Sequence, residues 1–199
     1  MRCFTHLTYS LPPSKIEISE VNRMLAYLFV LFAVAVRLAI PFMQTHPWHF
    51  TPVAASLLFF GARGSRRQLW VPVSLLALSD VVLSKFVYHY AVDTSQLVSW
   101  VWYAAIVLLG TRLHNHEKPL WIGGAALASP VSFFLISNFA AWATMDIYPK
   151  TFAGLMTSYT LGLPFFKNDL IGTLFFSAVF FAVPAVARLP EALRHKSAA

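Results

Sequence analysis

Arg37 and Asp80 are the residues in this sequence whose surroundings most plainly demand chemistry. Each interrupts a long apolar run, Met24–Met43 for the arginine and Leu69–Ser84 for the aspartate. A charge at the centre of a lipid-embedded helix costs about 2.5–3.5 kcal/mol on insertion scales, so such a residue is kept for a partner or a task. The two charges are opposite, and each falls toward the same end of its run. An Arg–carboxylate pair, bidentate if the geometry allows, would satisfy both. That pair has two readings: a clamp that only holds two helices together, or one wall of a cavity in which one member grips a ligand.

More polar residues gather at the same level. Asn138 lies late in the run Leu120–Ala143, and Lys167, Asn168 and Asp169 stand at the mouth of Leu170–Ala187. The intervening loops add His46, Trp48 and His49, then Tyr88, His89 and Tyr90, then Asp146, Tyr148 and Lys150, with Trp142 beside the last group. Apolar walls with a few fixed polar groups are the furnishings of a small-molecule site. The expected ligand site therefore comprises Arg37, Trp48, His49, Asp80, Asn138, Trp142, Tyr148, Lys150, Asn168 and Asp169, for a small, polar, planar ligand. The aromatic residues have a second reading. Trp48, Trp100, Trp102, Trp142 and Tyr148 also suit an interfacial belt.

Other chemistry finds less support. His46, His49 and His89 supply three imidazoles, but Pro47 removes a helical i, i+3 pair and no carboxylate is tied to them, so no metal is assigned. His114 and His116, beside Glu117 and Lys118, read as solvated. The sequence holds no G-x-S-x-G, H-E-x-x-H or Walker A motif. No cofactor is implied, no means of hydrolysing ATP is visible, and no spacing supports an intramembrane hydrolase. Cys3 is the single cysteine, which excludes an intrachain disulfide framework.

The elements that must position these groups are apolar helices. Of the 199 residues, 58% are hydrophobic and 12% charged, against about 25% charged in a soluble domain; the mean hydropathy is +0.63. A helix needs roughly 20 apolar residues to cross the hydrocarbon layer. The runs Met24–Met43, Phe50–Ala62, Leu69–Ser84, Leu97–Thr111, Leu120–Ala143 and Leu170–Ala187 predict an all-α integral membrane protein, a bundle of six transmembrane helices. The second run is short. A seventh stretch, Phe152–Phe166, carries Gly154, Gly162 and Pro164 and predicts a re-entrant or interfacial segment that could hinge as a lid over the site.

Charge sets the orientation. With six spans and a cytoplasmic N-terminus, Arg2, Lys15, Arg23, Arg63, Arg66, Arg67, Arg112, Lys118, Arg188, Arg194 and Lys196 fall inside, against Lys85, Lys150 and Lys167 outside and Arg37 near the outer end of the first span. A seventh crossing would move the C-terminal cluster outside. The organisation expected is a polar cytoplasmic tail at 1–22, a transmembrane domain at 23–188 and a basic cytoplasmic tail at 189–199, in the cell membrane. Residues 24–40 lack the small-residue cleavage site of a signal peptide. The formal net charge of +7 follows from this loop bias, and no nucleic-acid partner is read from it. Ala35-xxx-Ala39, Gly124-xxx-Ala128 and Ala125-xxx-Ser129 permit close helix approach, within the bundle or onto another membrane subunit.

Two resemblances extend this reading. The stretches Phe50-Thr51-Pro52-Val53, Leu78-Ser79-Asp80, Asn138-Phe139 with Trp142, Tyr148-Pro149-Lys150-Thr151, Gly154-Leu155, and Leu163-Pro164-Phe165-Phe166 with Asn168 resemble an uncharacterised family of small bacterial multi-pass membrane proteins. His49 stands where that pattern implies Asn. The layout of residues 24–188 is also similar to the substrate-binding S components of energy-coupling-factor transporters. That resemblance implies a ligand bound near the outer surface, a separate membrane coupling subunit with ATPases as partner, and Ala35 and Ala39 as the helix-docking pair.

Overall fold

The computed structural model describes residues 15–43, 50–89, 94–115 and 118–187. Six α-helices make up most of them: α1 (Lys15–Ala39), α2 (Val53–Arg63), α3 (Trp70–Val82), α4 (Thr94–Arg112), α5 (Pro119–Thr144) and α6 (Phe152–Ala187). Backbone polar groups that face lipid have no water to bond, and helices satisfy them internally. Four segments are long and apolar enough to cross a membrane: Ile18–Phe42, Arg66–Val87, Pro119–Thr144 and Phe152–Pro184.

α2 is the exception and the centre of the bundle. It has only 11 residues, about 16 Å at 1.5 Å per residue. Every residue from Val53 to Ala62 is buried. A helix that is apolar all round belongs inside a protein, which is why α2 need not match the bilayer thickness. α1, α4, α5 and α6 surround it. Its ring contacts are edge-on: Tyr27 meets Phe60 at 5.1 Å, Phe29 meets Phe59 at 5.0 Å, and Phe59 meets Phe181 at 5.1 Å. Against α4 the approach is backbone to backbone. A Cβ placed on Gly61 would lie 2.1 Å from the Val107 carbonyl oxygen, and one on Gly110 would lie 2.4 Å from that of Leu58.

The helices alternate in direction, so the bundle has a basic end and an opposite end. Tyr27 hydrogen-bonds Gln68, Arg66 donates to the Thr111 carbonyl at 3.2 Å, and the His114 ring nitrogen Nδ1 lies 2.9 Å from the Ala62 carbonyl. His114, expected to be merely solvated, therefore holds the α2–α4 corner. α1 starts at Lys15, inside the expected N-terminal tail.

The segment Phe152–Phe166 is not a separate re-entrant segment. It is the first half of α6, one helix of 36 residues. Pro164 does not end it, because neighbouring groups compensate a proline within a membrane-type helix at lower cost than unpaired backbone. The glycines serve close packing rather than hinging. A Cβ on Gly154 would lie 2.0 Å from the Pro149 carbonyl oxygen, and one on Gly162 would lie 2.5 Å from Asn138 Oδ1. Ser158 and Tyr159 donate to the carbonyls of Asn138 and Leu135, each at 3.0 Å. The expected lid is a fixed arm of the α5–α6 hairpin, and Lys167, Asn168 and Asp169 lie along a helix, not at its mouth.

Candidate functional site

Arg23 to Arg37 and Arg66 to Asp80 are both separations of 14 residues, about 21 Å along each helix. The two charges therefore reach the same height above the basic end, and they meet. Arg37 Nη2 donates to Asp80 Oδ1. The pair is not bidentate. Arg37 Nη1 instead donates to the Tyr103 hydroxyl at 2.8 Å, and Trp100 Nε1 donates to Asp80 Oδ2 at 3.0 Å. α1, α3 and α4 are thus tied at one point, with the Asp80 side chain only 7% exposed. Donors to both oxygens of this buried carboxylate, from Arg37 and Trp100, offset the loss of water that burial imposes.

Beside this network lies a cavity of about 610 Å³, inside the roughly 300–1,000 Å³ range of small-molecule sites. All six helices reach it. α1 gives Arg37, α3 gives Asp80, α4 gives Gln96, Ser99, Trp102 and Tyr103, α5 gives Phe133, and α6 gives Asp169. Thr51, Val53 and Ala54 bring the start of α2 to its wall. The preceding residues Phe50–Pro52 are not helical, an arrangement tolerated at membrane depth where backbone is buried in protein or lines a cavity. α3 continues into a π-helical turn, Leu83–Val87, and Leu83, Ser84 and Val87 of that turn line the cavity. Such turns often mark functional sites. The Gln96 amide donates to the Ser84 hydroxyl across the gap. A second, smaller cavity of about 130 Å³ lies between α5 and α6, lined by Asn138, Gly162, Asp169 and the rings of Phe133, Phe134, Phe165 and Phe166. Phe133 and Asp169 border both.

The expected site residues separate into three groups. Arg37, Asp80 and Asp169 line the large cavity, and Asn138 and Asp169 the small one. Trp142, Tyr148, Lys150 and Asn168 line neither. Trp142 Nε1 donates to the Pro149 carbonyl at 3.0 Å, and Lys150 Nζ donates to the carbonyls of Trp142 and Met145 at 2.6 and 2.5 Å. These two residues close the α5–α6 turn, with the lysine satisfying carbonyls at the C-terminus of α5 where a cation is favoured. Trp48 and His49 lie outside the described residues, as do His46, Tyr90, His116 and Glu117.

Ser84, Gln96, Ser99 and Tyr103 were not foreseen, and neither was the role of Trp100. The signal was present. Asp80, Ser84 and Tyr88 recur at i, i+4 and i+8, and Gln96, Trp100 and Tyr103 at i, i+4 and i+7, each a polar stripe on one helical face. Trp102, a belt candidate, is buried and donates to Ser132 at 3.0 Å. Ala35 and Ala39 are exposed on α1, as are Gly124 and Ala128 on α5, whereas Ala125 and Ser129 face the core. Among the described residues, no three of His, Cys, Asp and Glu gather closely enough to hold a metal ion.

The fold and the cavity define an apolar helical bundle of the membrane type with a polar interior site at one end. The chain belongs to a family of unknown function, DUF6580, whose model matches residues 18–195. No curated protein and no solved structure matches it.

Proposed function

We propose that this chain is a small-molecule binding and transport subunit of the cell membrane, with its ligand held in the large cavity and its energy supplied by separate subunits. The observation that carries this reading is the cavity itself, where charged, amide and hydroxyl groups from different helices converge beside aromatic walls. The rings of Trp102, Tyr103 and Phe133 suit a small, polar, planar ligand. In this reading all six helices traverse the bilayer, α2 completed by the non-helical Phe50–Pro52. The end bearing Arg63, Arg66, Arg67, Arg112 and Lys118 faces the cytoplasm with both termini, and the cavity opens outward. The layout is that of an energy-coupling-factor S component, and the exposed Ala35 and Ala39 offer a coupling subunit a close approach.

Native mass spectrometry of gently extracted protein tests the proposal. The wild type is expected to carry a small bound mass. Gln96→Leu, which replaces a cavity amide while leaving the Arg37–Asp80 pair intact, is expected to lose it. A wild-type protein free of any bound small molecule would count against a binding subunit. It would favour the second reading, a membrane scaffold or assembly factor, which the closed Arg37–Asp80–Trp100–Tyr103 network supports.

A further inference from the structure

Asp169, Thr173 and Ser177 follow one another on α6 at i, i+4 and i+8, a spacing that places three side chains in file on one face. Thr173 and Ser177 are 0% and 1% exposed. Serine and threonine inside a helix commonly return their hydroxyl proton to the carbonyl four residues back, as Ser129 and Thr160 do here at 2.8 Å. Thr173 and Ser177 do not. Both hydroxyls are buried without a hydrogen-bond partner among the described residues. Between Asp169 and Thr173 the helix is pressed against non-helical backbone: a Cβ on Gly172 would lie 3.3 Å from both Phe50 Cα and Thr51 N.

Asp169 has no cationic partner among the described residues. The charged and titratable groups that share its cavities are Arg37 from α1, Asp80 and Tyr88 from the α3 segment, and Tyr103 from α4; α2 and α5 present none. Arg37 is already bonded to Asp80 and Tyr103. A carboxylate among phenylalanine rings, without a counter-ion, requires a positive charge beside it or a proton on it.

We propose that Asp169 and Thr173 form a site for one small monovalent cation, a proton or Na⁺, at the junction of the two cavities. Hard cations take oxygen ligands, and unwound backbone at membrane depth is a recurrent source of them. The non-helical segment Phe50–Pro52 packs on α6 at Gly172, and Thr51 lines the large cavity together with Asp169. The site goes beyond the proposed ligand cavity and does not depend on it, because the carboxylate needs its cation whether or not an organic ligand binds.

Dicyclohexylcarbodiimide, which adds to protonated carboxyl groups in apolar surroundings, tests this on the full-length protein in detergent, with peptide mass mapping as readout. Asp169 is expected to be modified at mildly acidic pH and to lose the modification as pH rises. Asp80, held by Arg37, is expected to remain unmodified, and Asp169→Asn abolishes labelling at that position. Protection by Na⁺ at constant pH, weakened in Thr173→Val, identifies Na⁺ as the occupant. Dependence on pH alone, with no effect of Na⁺, identifies the proton. An unmodified Asp169, or labelling indifferent to both pH and Na⁺, would overturn the proposal while leaving the ligand cavity untouched.

Discussion

Arg37→Ala is expected to destabilise the protein by about 3 kcal/mol, the lower end of the range for breaking a buried ion pair. The Asp80 side chain is only 7% exposed, so removing the guanidinium leaves a largely desolvated carboxylate without its counter-charge. Trp100 remains as a donor, which keeps the loss at the lower end. Asp80→Leu strands the opposite charge, but the Arg37 side chain is 27% exposed and can turn toward the cavity, so its loss is expected to be smaller. The double variant Arg37→Met with Asp80→Leu is expected to recover part of the damage, because no unpaired charge is left. Unfolding in mixed micelles, run as a double-mutant cycle, reads the coupling directly; an interaction of about 1–3 kcal/mol is expected. Strictly additive losses would mean that the two residues do not stabilise one another.

Gly61→Val is the second substitution with a large expected effect. Its Cβ would fall 2.1 Å from the Val107 carbonyl oxygen and 2.8 Å from Gly110 Cα. Both are backbone atoms, so no side chain can turn aside, and α2 must separate from α4. Overpacking of this kind costs about 1–3 kcal/mol, and more where backbone must move. A helix buried on all sides has no lipid face toward which to shift, so the upper part of that range is expected. Gly124→Val is the matched control. Nothing lies within 4 Å of a Cβ there, and a change within about 0.5 kcal/mol is expected. Equal thermal shifts for the two variants would show that the α2–α4 backbone contact does not support the bundle.

The sequence made some features legible and hid others for physical reasons. The long apolar helices α1, α3 and α5 were readable because continuous hydrophobicity is itself the signal. The Arg37–Asp80 pair was readable because two charges at one depth in apolar runs have few other solutions. α2 was seen as a weak span, and its real role as the central buried helix was not, since an apolar run does not say whether lipid or protein covers it. The break expected at Phe152–Phe166 came from reading Gly154, Gly162 and Pro164 as soluble-protein punctuation. In an apolar bundle the two glycines are points of close contact, with Pro149 and Asn138. Trp142 and Lys150 were assigned to the site by proximity in sequence, whereas they bond the carbonyls of their own turn. Gln96 and Ser99 were missed because single neutral polar residues in an apolar helix carry little weight until their facing is known.

The proposed function stands on the large cavity between α1, α3, α4 and α6 opening to the outside of the cell. Thiol accessibility tests it most directly, since Cys3 is the single cysteine and can be replaced by serine. Cysteines are then placed at Gln96 in the cavity wall, at the fully buried Ser56, and at Ser65 near the basic end. A membrane-impermeant methanethiosulfonate reagent added to intact cells is expected to modify Gln96→Cys and to spare Ser56→Cys and Ser65→Cys. Opening the cells is expected to expose Ser65→Cys alone among the two that were spared. Modification of Gln96→Cys only after the cells are opened, or not at all, would contradict the outward cavity.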